Sequence, residues 1–300
     1  MELGVGLRKV DDIVDSARAL ERAGFDRVFC GEHFFFHGPA PNAFVALAAA
    51  GGATERIRLL SAITLLPLYP AAMAAKMASV LDVVSRGRFD FGVGVGGEFR
   101  PEFDAIGVSV KERGRRMNES LEAIRALFSG EKTTFDGEFA TIDGLALDPP
   151  PVQPGGPPIW VAGRSEAAQR RAGRFGDVWM PYMYTPEQLA ASLEVVRATA
   201  SAAGRDAASV DAGVFVWTCV DEDGDRARAE IAAVVGRTYE QDFSRLGRYL
   251  VAGTPDEVVA RLREFGEAGA GSAQLMLGCE PAAEQRVLDL LGKSVMPQLR

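Results

Sequence analysis

Short apolar runs alternate with amphipathic segments along the whole chain. The run Leu3–Leu7 precedes Asp11–Ala23, in which apolar residues recur with helical spacing until Gly24. The same order recurs, with further strands predicted at Arg27–Cys30, Ile57–Leu66, Phe89–Val95, Ile159–Ala162, Val178–Met183, Val210–Val220 and Ala273–Leu277. Eight strand–helix units without a linker favour one (β/α)8 barrel domain over residues 1–300. A doubly wound sheet is the alternative, but it ordinarily has about five or six strands.

Two of the predicted helices carry a clear start signal. Thr185 and Thr254 each precede a proline and stand three residues before a Gln or a Glu, which is the order of a capping box with proline at the first helical position. Helices are predicted at Asn42–Ala53, Ala71–Val84, Glu112–Phe128, Ser165–Phe175, Pro186–Ala203, Thr254–Ala268 and Ala282–Leu291. They lie between the predicted strands, as a barrel requires.

Two segments are longer than ordinary connections. Lys132–Pro158 is an insertion before the strand Ile159–Ala162, on the face where the strands begin. Within it, Phe135–Phe139 predicts a hairpin, and its Asp-Gly pair favours a type I′ turn. The polar stretch Asp223–Val251 follows the strand Val210–Val220 and is compatible with a helix. Since it leaves the face where the strands end, we expect a helical lid there.

Charge and cysteine content exclude several classes of protein. With 33 Lys and Arg against 41 Asp and Glu, the net charge of −8 argues against a nucleic-acid partner. Neither a long apolar segment nor a basic, apolar leader is found, so we expect a cytoplasmic protein without a membrane span. Cys30, Cys219 and Cys279 are too far apart for a metal-binding pair and are expected to be buried free thiols.

The two histidines lie close together, at positions 33 and 37. Their i, i+4 spacing is compatible with zinc, but three phenylalanines intervene and no further ligands are near in sequence, so no metal is expected. Barrel active sites lie where the strands end, which is where Glu32 and His33 follow Arg27–Cys30. An ionisable pair beside an apolar wall favours proton transfer. The alternative is a histidine that only hydrogen-bonds to a loop carbonyl.

Aromatic residues follow several of the predicted strands. Six of them could line a substrate pocket. Phe34, Phe36 and His37 follow the strand Arg27–Cys30, Phe99 follows Phe89–Val95, and Trp179 and Tyr182 belong to Val178–Met183. Packing in the core is the alternative explanation.

Glycines mark the end of the strand Phe89–Val95. Gly92, Gly94 and Gly97 match a GxGxxG motif, but Pro101 makes an immediate helix improbable and so disfavours dinucleotide binding. Glycines here, including Gly96, instead let a flat ring approach the backbone, or they serve packing alone.

The segment Ala162–Ser165 joins a strand directly to a helix. Free backbone N–H groups, the Ser165 hydroxyl and the Arg164 guanidinium converge there and favour a phosphate group. Otherwise Ser165 is only a helix cap and Arg164 a solvated charge.

Seven stretches, in this order, resemble the bacterial luciferase-like monooxygenase superfamily, which includes the deazaflavin (coenzyme F420)-dependent oxidoreductases. The resemblance covers nearly the whole chain. The stretches are Gly31–Phe34, Arg56–Pro67, Leu81–Gly96, Glu112–Arg116, Phe135–Phe139, Pro157–Gly163 and Gly253–Val258.

The resemblance implies a barrel that binds a flavin or deazaflavin where the strands end. It places a non-prolyl cis peptide behind the ring, at Ala62–Ile63, and an acid and a histidine beside the ring, at Glu32 and His33. Further cofactor-binding positions are implied at Thr64, Gly94, Gly96, Ala162, Gly163, Arg164 and Ser165. Many relatives have a glycine where Arg164 stands, which puts the geometry of the phosphate turn in question.

The function implied is hydride transfer between coenzyme F420 and a small, apolar or aromatic organic substrate. His33 would pass the proton, and Glu32 would hold and polarise His33. One alternative is a two-component monooxygenase that uses reduced FMN and O2, with a separate flavin or F420 reductase as partner. A second is a flavin-binding protein without turnover. The family also implies a homodimer.

Overall fold

The computed structural model describes residues 1–239 and 246–300. Its strands, in chain order, are β1 (Glu2–Gly6), β2 (Arg27–Cys30), β3 (Arg58–Ser61), β4 (Thr64–Leu65), β5 (Phe89–Gly94), β6 (Thr133–Asp136), β7 (Thr141–Leu145), β8 (Ile159–Ala162), β9 (Val178–Met180), β10 (Asp211–Val220), β11 (Val251–Gly253) and β12 (Ala270–Leu277). Its α-helices are α1 (Ile13–Ala23), α2 (Ala43–Ala53), α3 (Ala71–Val84), α4 (Arg100–Ile106), α5 (Arg113–Leu127), α6 (Glu166–Phe175), α7 (Pro186–Ala202), α8 (Gly224–Tyr239), α9 (Pro255–Glu267) and α10 (Glu284–Leu290).

Eight of these strands close into a parallel barrel. They follow one another around it in the order β1, β2, β3, β5, β8, β9, β10 and β12, and β12 pairs with β1 again. Gly4 of β1 lies opposite Arg27 of β2, and Leu3 lies opposite Ala273 of β12. The predicted (β/α)8 barrel is confirmed. Its mouth is the face at which these strands end.

Apolar side chains form two layers around the barrel wall. Inside it, Phe29, Leu60, Trp160 and Met180 form one buried cluster, while a larger cluster fills the space between strands and helices. All three cysteines are free and buried, as expected. Among the described residues, no helix is both long enough and apolar enough to span a membrane.

The structure departs from the predicted secondary structure at two places near the mouth. The predicted strand Ile57–Leu66 is divided into β3 and β4, and the peptide bond Ala62–Ile63 between them is cis, as the resemblance implied. The helix α4 was not predicted, because Pro101 was taken to oppose it. Pro101 lies in its first turn, where a missing N–H costs no helical hydrogen bond.

The insertion before β8 forms the predicted hairpin, but not the predicted turn. β6 and β7 pair antiparallel, whereas neither Asp136 nor Gly137 has the positive φ that a type I′ turn needs. The turn is instead fixed from outside. The carboxylate of Glu119 on α5 accepts hydrogen bonds from the backbone N–H groups of Glu138, Phe139 and Ala140 at 2.8, 2.7 and 2.8 Å.

The expected lid begins with a helix. α8 runs from Gly224 to Tyr239, residues 240–245 lie outside the described residues, and β11 begins at Val251 and pairs with β10. The described helix is tied to its neighbours: Arg228 forms an ion pair with Glu257 of α9 at 3.0 Å. That α8 closes over the mouth stays a prediction.

Two glycine substitutions test the packing of the barrel wall. A Cβ at Gly92 of β5 would lie 1.8 Å from the backbone oxygen of Ser61 on β3, so Gly92→Ala must push two strands apart. We expect it to lower the free energy of unfolding by about 2–4 kcal/mol in urea denaturation. Gly52→Ala is the matched control, since nothing lies within 4 Å of its Cβ on α2, and should raise stability by about 0.5–1 kcal/mol. Equal effects would contradict the strand packing.

Candidate active site

His33 is held at the mouth by a carboxylate that arrives from another loop. It follows β2, and its Nδ1 lies 3.3 Å from both carboxylate oxygens of Glu102 on α4. Glu102 is fully buried and also accepts a hydrogen bond from the backbone N–H of Phe34 at 3.3 Å. A carboxylate bonded to Nδ1 favours the Nδ1–H form of imidazole, which leaves Nε2 as a free proton acceptor.

Aromatic rings surround the histidine. The ring of Phe36 stacks on His33 with centroids 4.1 Å apart and planes 16° apart. Phe99, from the loop before α4, meets the edges of Phe36 at 6.0 Å and of His37 at 5.2 Å. The ring of Phe34 instead lies against Tyr69, with centroids 5.4 Å apart, and 37% of the residue is exposed. Three of the predicted pocket residues, Phe36, His37 and Phe99, therefore come together beside His33, whose side chain is 24% exposed.

Glu32 is not the partner of His33, contrary to the sequence expectation. Consecutive residues at a strand end point to opposite sides, and the Glu32 carboxylate points inward, with 5% of the residue exposed. It accepts hydrogen bonds from the backbone N–H groups of Leu65 and Ala43 at 2.8 and 3.1 Å. The ion that faces the histidine is Glu102 instead.

The strand ends around His33 form an apolar floor of small residues. Ala62, Ile63 and Ala162 pack partly exposed on the buried cluster inside the barrel. A Cβ at Gly31 would lie 3.0 Å from the backbone oxygen of Ala62, and one at Gly94 would lie 2.2 Å from Ile63 Cδ1. Only glycine therefore lets these strand ends approach the Ala62–Ile63 segment, and the resulting floor suits a flat ring.

Two of the predicted cofactor positions lie beneath this floor or at its edge. Thr64 is fully buried, and its hydroxyl has no hydrogen-bond partner among the described residues. Gly96 has φ +59°, a conformation that favours glycine, and a Cβ there would meet Leu65. Because Thr64 is fully buried, its side chain presents no surface at the mouth, contrary to the sequence expectation.

The segment Ala162–Ser165 is shaped to present N–H groups. Ser165 caps α6, as expected, by accepting a hydrogen bond from the backbone N–H of Ala168 at 3.3 Å. The backbone oxygen of Gly163 accepts from the Trp179 indole at 2.9 Å, and that of Arg164 accepts from the Tyr184 hydroxyl at 3.0 Å. The Gly163 N–H donates to the backbone oxygen of Met180 at 3.2 Å, so only the N–H groups of the first turn of α6, which have no intrahelical acceptor, are left for an anion.

Trp179 and Tyr182 have different roles from those predicted. Trp179 is fully buried, so it does not line a pocket but supports the turn. Tyr182 does lie at the mouth: its ring lies under the Arg164 guanidinium at 5.3 Å, and its hydroxyl donates to Glu98 at 3.1 Å. Burial, together with the Glu98 charge, raises the pKa of Tyr182 to about 12, so the hydroxyl keeps its proton at neutral pH.

Sequence reasoning missed Glu102 because it missed α4. The signal was present, since Pro101 is compatible with a first helical turn and Phe103 and Ile106 supply the apolar spacing. Nothing in the sequence pattern indicated the hydrogen bond from Tyr184 to the turn.

The family model for luciferase-like monooxygenases matches residues 2–272. The chain therefore belongs to the luciferase-like monooxygenase family, as the resemblance in its sequence implied.

Proteins similar to this chain include F420-dependent dehydrogenases and a monooxygenase. The F420-dependent glucose-6-phosphate dehydrogenases of Nocardia farcinica and Nakamurella multipartita are 28% and 29% identical over 323 aligned positions, which cover 96% of this chain and 94% and 92% of theirs. The solved structure of monooxygenase RslO1 from Streptomyces bottropensis is 26% identical, with a TM-score of 0.88 and full coverage of both chains.

The geometry of His33 predicts a measurable tautomer. With only two histidines in the chain, 15N-histidine NMR of tag-free protein resolves each ring, and His37→Gln assigns the signals. At a pH where imidazole is neutral, we expect His33 to carry its proton on Nδ1. Glu102→Met removes the acceptor at similar volume and should return His33 to the more common Nε2–H form. A wild-type His33 already in the Nε2–H form would contradict the contact.

Proposed function

We propose that the protein transfers hydride between coenzyme F420 and the carbinol or carbonyl carbon of a small apolar or aromatic substrate. One observation carries this proposal: His33 has its Nδ1 on the buried Glu102 carboxylate, its side chain is 24% exposed, and its Nε2 has no hydrogen-bond partner among the described residues. An alcohol that loses hydride must also lose its hydroxyl proton, and this nitrogen is placed to accept it.

The residues at the mouth fit this cofactor. Ala62, Ile63 and Gly94 would hold the flat ring, and the N–H groups of the turn at Ser165 would hold a phosphate, with Arg164 adding a positive charge. Two relatives with F420-dependent names align along almost the whole chain, which supports the choice of cofactor. When bound, F420 would supply a two-electron hydride acceptor or donor.

The chain's own contribution is orientation and proton transfer. In alcohol oxidation, His33 Nε2 takes the hydroxyl proton while the C–H hydride leaves, and a carbonyl compound results. Glu102 then faces an imidazolium cation and stabilises it, and in the reverse direction the imidazolium returns the proton. A positioned acid–base group of this kind contributes roughly 10²–10⁴-fold to the rate.

The surroundings of His33 favour an uncharged substrate. The Phe36 ring stacks on His33, the Phe99 ring packs on Phe36, and the carboxylate of Glu98 lies on the same loop as Phe99. Apolar rings favour an apolar or aromatic molecule, and the two carboxylates, Glu98 and Glu102, disfavour a phosphorylated one.

A reduced-FMN monooxygenase is the second candidate. Its support is the similarity to monooxygenase RslO1 along the full chain. This function would need O2 and a separate reductase. The paired His33 and Glu102 disfavour the other alternative, a flavin-binding protein without turnover, because such a protein has no need for a proton acceptor at its mouth. We place the protein in the cytoplasm.

Single-turnover hydride transfer tests the proposed role of His33. The probe is loss of oxidised F420 absorbance with a series of secondary alcohols from isopropanol to 1-phenylethanol. We expect His33→Gln to slow hydride transfer roughly 10²–10⁴-fold, while binding F420 as wild type does. An unchanged rate would contradict the role, and O2 consumption with FMN and a reductase would favour the second candidate.

We also propose that a second copy of the chain covers the outer face of α2 and α3. α2 contains no charged residue, and Val45 on it is 70% exposed. Along α3, Met73, Val80 and Val84 form an exposed apolar stripe. The one charged side chain beside this stripe, Lys76, is turned toward the backbone oxygen of Asp148 in the insertion. Such a face is self-complementary, as a two-fold dimer requires.

A charge on this face should separate the two copies. We expect wild-type protein to sediment as a dimer at micromolar concentration and Val80→Glu to sediment as a monomer. Val195→Glu is the matched control, since Val195 on α7 is 39% exposed but lies outside the face, and should remain dimeric. A monomeric wild-type protein would refute the proposal.

A further inference from the structure

We propose that Glu32 is a positioning residue that fixes the distance between His33 and the segment Ala62–Ile63, which forms one wall of the proposed ring site. The inference rests on the proposed function, because that function gives His33 and the wall their roles. It assigns to Glu32 neither contact with substrate nor proton exchange. The carboxylate is 5% exposed and its oxygens face protein donors.

The carboxylate joins two loops of the mouth, the one between β2 and α2 and the one between β3 and α3. Its Oε1 accepts from the backbone N–H of Leu65 in β4 at 2.8 Å. Its Oε2 accepts from the backbone N–H of Ala43 at the start of α2, at 3.1 Å, and from Asn42 Nδ2 at 3.2 Å. The Tyr69 hydroxyl, ahead of α3, donates to Oε2 at 3.0 Å. One side chain therefore collects four hydrogen bonds.

These bonds act at both sides of the proposed ring site. Leu65 stands two residues after Ile63, so its bond holds the strand that continues from the wall. Glu32 itself stands between Gly31, which lies against the backbone oxygen of Ala62, and His33. Loss of the carboxylate would remove the link between the Ala62–Ile63 segment and the loop that carries His33. The residues of both segments would remain unchanged.

Four donors converge on the two oxygens of Glu32, and no Lys or Arg forms an ion pair with it in the described part of the chain. Burial raises the pKa of Glu32, while hydrogen bonds from Leu65, Ala43 and Tyr69 favour the carboxylate. Burial and the Glu32 charge raise the pKa of Tyr69, so its hydroxyl keeps the proton that it donates. Because four donors converge, the NH2 group of a glutamine at position 32 must face at least one donor.

The chain offers a matched control at the opposite end of the barrel. Asp82, near the end of α3, is also fully buried. Its carboxylate accepts hydrogen bonds from the backbone N–H groups of Val152 and Gln153 at 2.8 and 2.9 Å, and from Gln153 Nε2 at 2.7 Å. Asp82→Asn thus mispairs a buried carboxylate site of the same kind, far from the mouth.

The experiment compares Glu32→Gln, Tyr69→Phe and Asp82→Asn in the full chain. Thermal unfolding, F420 affinity by fluorescence quenching, kcat, and the 15N signal of His33 are measured for each. We expect Glu32→Gln and Asp82→Asn both to lower Tm. Of these two variants, only Glu32→Gln should weaken F420 binding, lower kcat by about 10–100-fold and shift the His33 signal. Tyr69→Phe, which removes one donor of four, should fall between wild type and Glu32→Gln.

Equal losses of F420 affinity and kcat in Asp82→Asn would show that Glu32 acts through stability alone, and so would an unchanged His33 signal in Glu32→Gln. If wild-type protein binds no F420, the proposed function fails. The His33 signal, which needs no cofactor, then still decides the positioning role. If Glu32→Gln does not fold, Tyr69→Phe against Asp82→Asn makes the same comparison.

Discussion

Closure of eight parallel strands into one barrel is the constraint on which the site depends. Because all of them run in the same direction, their carboxyl ends meet at one mouth, wherever they stand in the sequence. His33, the Ala62–Ile63 wall and the turn at Gly163 come together for this reason, although β2 and β8 are far apart along the chain. A strand of the opposite direction would carry its loop to the other face.

Backbone groups provide most of the surface that would contact a cofactor, and several side chains hold that backbone in place. Trp179 and Tyr184 donate hydrogen bonds to the carbonyls of Gly163 and Arg164 and so fix the turn before α6. Glu32 binds the strand beyond the wall. Against a net charge of −8, the start of α6 and Arg164 supply a local attraction for an anion.

The barrel could be predicted from sequence because its signals are local and repeated. The caps at Thr185, Thr254 and Ser165 were predicted and observed, since each needs only residues within one turn. The partner of His33 was missed because the contact with Glu102 joins two loops, and no local pattern encodes that distance. For the same reason, the sequence left open whether Trp179 faces the pocket or the core.

Equilibrium titration of the purified protein with F420 and, separately, with FMN tests most directly whether this mouth takes a deazaflavin, with quenching of intrinsic fluorescence as the signal. We expect saturable binding of F420 in the micromolar range and no saturation by FMN at the same concentrations. Micromolar binding of FMN with none of F420 would contradict it.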